Sequence, residues 1–122
     1  MRTNDLKELV QTQLKTVASD VYYEQAKRDA MYPHVVFTFR ELNLDDLSRE
    51  DFTMDVDVWS KGPNTETIDN LCDTIEDLFS NANMPQNTIL PTFFKIDRRT
   101  VLDEDKNIKH RLIRFQIQNY ER

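Results

Sequence analysis

Apolar residues at Leu6, Leu9, Val10, Leu14 and Val17 fall on one stripe of a helix, with Thr3 or Asn4 placed to cap its start. After it, Val21 to Tyr23 reads as a short extended piece, followed by a loop that ends at Pro33. Residues 35–42 (VVFTFREL) are β-branched and aromatic, with Val35, Phe37 and Phe39 on one face of a strand. Residues 52–60 (FTMDVDVWS) alternate cleanly, Phe52, Met54, Val56 and Val58 against Thr53, Asp55, Asp57 and Trp59. Lys61-Gly62-Pro63 is a turn signal.

Asn64 or Thr65 then caps a second helix with the stripe Ile68, Leu71, Cys72, Ile75, Leu78 and Phe79. The loop SNANMPQN follows, with Asn81 or Asn83 suited to a left-handed helix end. Residues 92–101 and 108–120 are two further strands joined by the turn-rich LDEDKN. The order is helix, strand, strand, helix, strand, strand. Short links between paired strands favour antiparallel pairing. The pattern therefore predicts an α+β fold in which two helices pack on one face of a mainly antiparallel four-stranded sheet. No linker or repeat divides the chain, so residues 1–122 read as a single domain.

Composition narrows the chemistry. At 122 residues, the chain buries about two-thirds of its unfolded surface, enough for a core without disulfides. Gly62 is its only glycine. A dinucleotide fingerprint, a P-loop and a nucleophile elbow each need at least two, so those nucleotide-binding and hydrolase motifs are excluded. Cys72 stands alone, which rules out an internal disulfide and a cysteine-based zinc site. No apolar run has the length of a membrane span, and MRTNDLKELV has no apolar signal core, so neither a membrane partner nor secretion is expected.

The net charge of −6 is unevenly placed. Residues 1–94 carry 8 basic and 17 acidic side chains, whereas residues 95–122 carry 8 basic and 5 acidic. An acidic balance argues against sequence-specific nucleic-acid binding, because phosphate neutralisation needs basic residues.

Candidate sites follow from this pattern. Asp55 and Asp57 share a strand face and have the chemistry of a cation site or an acid/base pair, but neither a histidine nor a third acid is near them in sequence. The simpler reading is a solvated strand face. His110 lies between Lys109 and Arg111, where a metal ion would be repelled. Cys72 belongs to the helix stripe as a small buried hydrophobe. No catalytic constellation and no cofactor site emerge.

The second helix carries Glu66, Asp69, Asp73, Glu76 and Asp77 with no Lys or Arg from Asn64 to Asn81. Its like charges at i,i+4 are mildly destabilising. Either the face is simply solvated or it meets a basic surface. Arg98, Arg99, Lys109, Arg111 and Arg114 in the last hairpin supply such a surface, in the same subunit or in a neighbour. A contact to a neighbour would be heterologous and would propagate into a ring or filament. Asp69, Asp73, Glu76, Asp77, Arg98, Arg99, Arg111 and Arg114 are thus candidate interface residues. In that case, reversing Arg98 and Arg99 to Glu should abolish assembly and leave the monomer folded. Leu44 and Leu47, set among charges in LNLDDLSRED, are either a buried loop staple or anchors on a partner.

Three stretches carry a likeness: Tyr32-Pro33-His34-Val35-Val36, the strand end Val58-Trp59-Ser60, and Asp103 to Phe115 with His110 inside. With the acidic helix between them, the chain resembles the tail terminator or tail-completion (head–tail joining) proteins of long-tailed bacteriophages and prophages. The resemblance spans nearly the whole chain. It implies an α+β subunit of a self-assembled ring, commonly a hexamer, that caps the tail tube and joins it to the head. The implied partners are further copies of the chain, a tail tube protein and a head–tail connector protein, with DNA passing through the ring. The implied location is the virion tail, and the host cytoplasm during assembly. The resemblance carries no catalytic residues and no cofactor.

A neighbouring head–tail connector component is a closely related alternative. A different class of reading is a stand-alone regulatory or ligand-binding domain with a shallow site around Trp59. A metal-dependent hydrolase using Asp55 and Asp57 is a third.

Overall fold

A computed structural model describes residues 2–42, 49–80 and 89–121. Seven elements follow one another: α1 (Arg2–Lys15), β1 (Val21–Tyr23), β2 (His34–Leu42), β3 (Arg49–Lys61), α2 (Glu66–Phe79), β4 (Ile89–Val101) and β5 (Ile108–Glu121). The strands form one sheet in the order β1-β2-β3-β5-β4. All pairings are antiparallel except β1 with β2, which is parallel, with Val21 opposite Val35. The class is α+β.

The sheet has five strands where the sequence pattern predicts four. The extra strand is the extended piece at Val21–Tyr23. Three residues are too few to show a period, and a parallel partner beyond a ten-residue loop leaves no local signal. Several boundaries also differ. Helix α1 begins at Arg2, so Thr3 and Asn4 lie inside it, and Val17 packs on the core from beyond its end. Thr65 occupies the N-cap position of α2 without a side-chain capping hydrogen bond. Its carbonyl accepts the Asp69 N–H at 2.9 Å.

Strand β4 begins at Ile89 and contains Pro91. A proline is tolerated there because β4 is an edge strand with one side free of ladder hydrogen bonds. Asn81 and Asn83 lie outside the described residues.

One face of the sheet carries the core. Phe52, Met54, Val56 and Val58 of β3 are at most 1% exposed, and they join Ile113, Phe115 and Ile117 of β5 and Val35 and Phe37 of β2. Both helices close over this face: Leu6, Leu9, Val10 and Leu14 from α1, Ile68, Cys72, Ile75 and Phe79 from α2. Helix α1 packs on β1 and β4, whereas α2 packs on β3, β5 and β4. The lone glycine sits where the backbone needs it: Gly62 has φ +137°, a region that L side chains rarely adopt, and its N–H bonds the Asn107 carbonyl at 2.8 Å.

Candidate functional site

Side-chain parity along β4 and β5 decides where the basic residues go. Lys95 lies opposite Phe115, and Arg98 opposite Ile113, so both point to the core side, beneath α2. On β5, Arg111 lies opposite Val58 and faces the same way. In a regular strand, Lys95 and Arg98 would point to opposite faces. A β-bulge between Lys95 and Asp97 inserts one extra residue, Ile96, and brings both cations to the helix side.

The acidic helix is met there by its own chain. Arg98 Nη2 lies 2.7 Å from Asp73 Oδ1 and 2.7 Å from Glu76 Oε2. Lys95 Nζ lies 2.7 Å from Glu76 Oε1, and Arg111 Nε lies 3.2 Å from Asp69 Oδ1. Glu76, only 6% exposed, is held between two cations. Of the two arrangements open in the sequence, Asp69, Asp73 and Glu76 adopt the one within a subunit. Reversing Arg98 would leave Glu76 buried beside another carboxylate, so the monomer is not expected to stay intact, contrary to the expectation above. Asp77 is exposed and, among the described residues, makes no ion pair.

Arg99 and Arg114 point the other way, onto the helix-free face. Arg114 Nε donates to Asp55 Oδ1 at 3.0 Å, which raises its pKa, and Arg40 pairs with the other oxygen of Asp55. Arg99 pairs with Asp97 at 3.2 Å. Asp57 accepts from His110 Nε2 at 2.7 Å. Both strand aspartates are therefore engaged by basic groups. Among the described residues, no group of three or more His, Cys, Asp or Glu is placed to hold a metal ion.

Trp59 is closed off as well. His34 stacks on one side of its indole, ring centres 5.0 Å apart, and His110 on the other, 4.1 Å apart. The proposed shallow site around Trp59 is filled by these two imidazoles. No sequence pattern signals the stack, which needs cross-strand register: His34 opposite Trp59, and Trp59 opposite His110. Burial lowers the pKa of His34. Burial also pushes the Cys72 thiol up to about 11.

The end of the β4–β5 hairpin holds a groove of about 320 Å³. Val101, Leu102 and Ile108 contribute apolar surface to it, and Asp103 lines it together with Lys106, Lys109 and Arg111, so its charge is mixed. Leu102 is 92% exposed. Leu44 and Leu47 lie outside the described residues.

The family profile described as tail completion protein gp17 matches residues 4–118. The chain belongs to this family. The match spans both helices and all but the last residues of the sheet, so the gp17 family accounts for the whole core. Comparison with curated proteins gives no match. Among solved structures, the chain is similar to one from the virion of a native gene transfer agent particle, with TM-score 0.79 and 10% identity over 97% of this chain and 96% of that one. A second solved structure matches with TM-score 0.73 and 11% identity, covering 96% of this chain and 92% of the other. At such identities the likeness establishes a shared fold. The gp17 assignment agrees with the tail-completion resemblance carried by Tyr32–Val36, Val58–Ser60 and Asp103–Phe115.

Proposed function

We propose that this member of the gp17 family is a structural subunit of a ring that caps the tail tube and joins it to the head. The observation that carries this reading is the family match over residues 4–118. The similar chain in a gene transfer agent virion supports a place in a particle of that kind. Further copies of the chain, a tail tube protein and a head–tail connector protein are the partners this role requires. The role is one of assembly, with no catalytic step and no cofactor.

Charge is compatible with it. Each subunit carries −6, and a ring of such subunits repels DNA phosphate instead of holding it, so a genome can slide past. On the helix-free face, Arg40 and Arg114 both engage Asp55, Arg99 pairs with Asp97, and His110 hydrogen-bonds Asp57, so the described charges there are engaged within the subunit.

Among the residues considered for assembly, Asp69, Asp73, Glu76, Arg98 and Arg111 fasten α2 to the hairpin, whereas the exposed Asp77 and Arg99 take no part in that contact. Light scattering behind size exclusion, at low and high concentration and with tail tube protein added, tests the reading. A discrete closed oligomer, alone or on the tube, is expected. A chain that stays monomeric even with tail tube protein would overturn the ring.

A further inference from the structure

Residues 24–33, between β1 and β2, form a strap with neither helix nor strand in it. Little of it is withdrawn from water: Met31 is 70% exposed and Tyr32 38%, and Lys27, Arg28 and Asp29 are all exposed. Burial of apolar surface therefore contributes little to holding it down. At its first residue the Glu24 N–H donates to the Phe37 carbonyl at 2.9 Å. At its far end the strap is seated on one imidazole. The Met31 carbonyl lies 3.2 Å from His34 Nδ1, and the Tyr32 ring lies against the same imidazole, ring centres 5.0 Å apart. A carbonyl only accepts, so Nδ1 carries the proton of neutral His34.

The setting of that imidazole is hostile to charge. His34 is 7% exposed, and Trp59 stacks on it. Beyond the indole lies His110, so the two imidazole centres stand at most about 9 Å apart, the 5.0 Å and 4.1 Å steps laid end to end. A proton added to His110 is shared with Asp57 Oδ1, 2.7 Å from Nε2. Among the described residues, His34 has no carboxylate within ion-pair distance. Asp20, ahead of β1, acts on it from further off, while Tyr22 of β1 meets it edge-on. Lys61, at the end of β3, holds its Nζ 5.9 Å from the centre of the Tyr32 ring. Two imidazolium ions flanking one indole repel each other, and the buried one has no counter-charge in contact. Burial disfavours the charged form of His34 and His110 adds to this, against the Met31 carbonyl and Asp20.

The geometry points to an acid-operated latch: neutral His34 holds the strap closed, and a proton on His34 releases residues 25–33 while the sheet stays folded. Opening gives the imidazolium the water that the closed strap largely denies it. His110 sets the sensitivity of the latch, because charge on it opposes charge on His34.

The chain has two histidines and one tryptophan, so each is followed without ambiguity. Hydrogen exchange of the full chain, read by mass spectrometry from pH 7.5 to 5 and corrected for the intrinsic effect of pH on exchange, compares residues 25–33 with the strands. The opening equilibrium of the strap should rise as pH falls, by up to about tenfold per pH, the limit for one linked proton, while β3 and β5 keep their protection. In His34→Gln, whose amide still offers a donor to the Met31 carbonyl, the rise should vanish. Proton NMR of the imidazoles gives the His34 midpoint. In His110→Gln it should move up by about 0.3–1 pH, the effect of a unit charge about 9 Å away under the screening found near a protein surface. Near-ultraviolet circular dichroism of Trp59 checks that each variant is folded.

Three results would overturn the latch: a strap whose protection does not change with pH, a strap that opens only together with the strands, or a pH response that survives in His34→Gln. An unmoved His34 midpoint in His110→Gln would overturn the coupling across the indole.

Discussion

Glu76 of α2 is buried against Arg98 of β4, Oε2 to Nη2 at 2.7 Å, with Lys95 on its other oxygen. A carboxylate withdrawn from water this far is stable only while its cations stay in place. Arg98→Ala should therefore lower stability by about 1–3 kcal/mol, with Lys95 retaining part of the compensation. Glu76→Gln in the Arg98→Ala background should restore some of it. Urea midpoints of the two single variants and the double measure this; strict additivity of the two losses would refute the coupling.

Gly62 allows a second prediction. At φ +137° no neighbouring atom lies within 4 Å of an added Cβ, so any cost of a side chain comes from the backbone alone. Gly62→Ala should destabilise by about 1–2 kcal/mol without disturbing the core. Thermal unfolding of the variant checks it, and an unchanged midpoint would show that the turn relaxes freely.

His34 gives the stability a pH dependence of known sign. Burial lowers its folded-state pKa below the ordinary 6.5, while the nearby Asp20 and the Met31 carbonyl act in the opposite direction and His110 adds to the lowering. The unfolded chain thus binds more protons in this range, and stability contributed by His34 is full above pH 6.5 and is lost as pH falls through the lowered value. Urea midpoints between pH 7.5 and 5 should decline, and His34→Gln should flatten the decline. An equal slope in the variant would assign it to other groups.

Cys72 should be almost inert. The thiolate is the reactive form, and burial in the α2 stripe both holds the thiol neutral, near pKa 11, and shields it. An aromatic disulfide reagent at pH 8 should react at least about 100-fold more slowly with the folded chain than with the urea-unfolded one. Comparable rates would mean that α2 opens readily.

Much of this architecture can be read from side-chain periodicity. The stripe Ile68, Leu71, Cys72, Ile75, Leu78, Phe79 and the set Phe52, Met54, Val56, Val58 each follow the period of their element, and all are buried except Leu71 and Leu78, which are half-buried at the edge of the core. The split of Arg98 from Arg99 was open to the same reasoning, since neighbours on a strand point to opposite faces. Applied strictly, however, that rule would have placed Lys95 and Arg98 apart. The bulge that unites them has no local signature, because its cause is the fit of β4 to β5 and of both to α2. The stack of His34, Trp59 and His110 was hidden for a related reason: its members are 25 and 51 positions apart in sequence and meet only through register. Residues 21–23 lacked the length to show any period.

The extra residue at Ile96 also bears on how this chain can change length. Without it, Lys95 and Arg98 would stand two places apart and alternate regularly, so both would still lie beneath Glu76, with Asp97 on the other face. The same freedom holds in the exposed turn at Asp103 to Asn107, where a residue gained or lost leaves both strands in phase. Related sequences should accordingly tolerate the loss of one residue at either place.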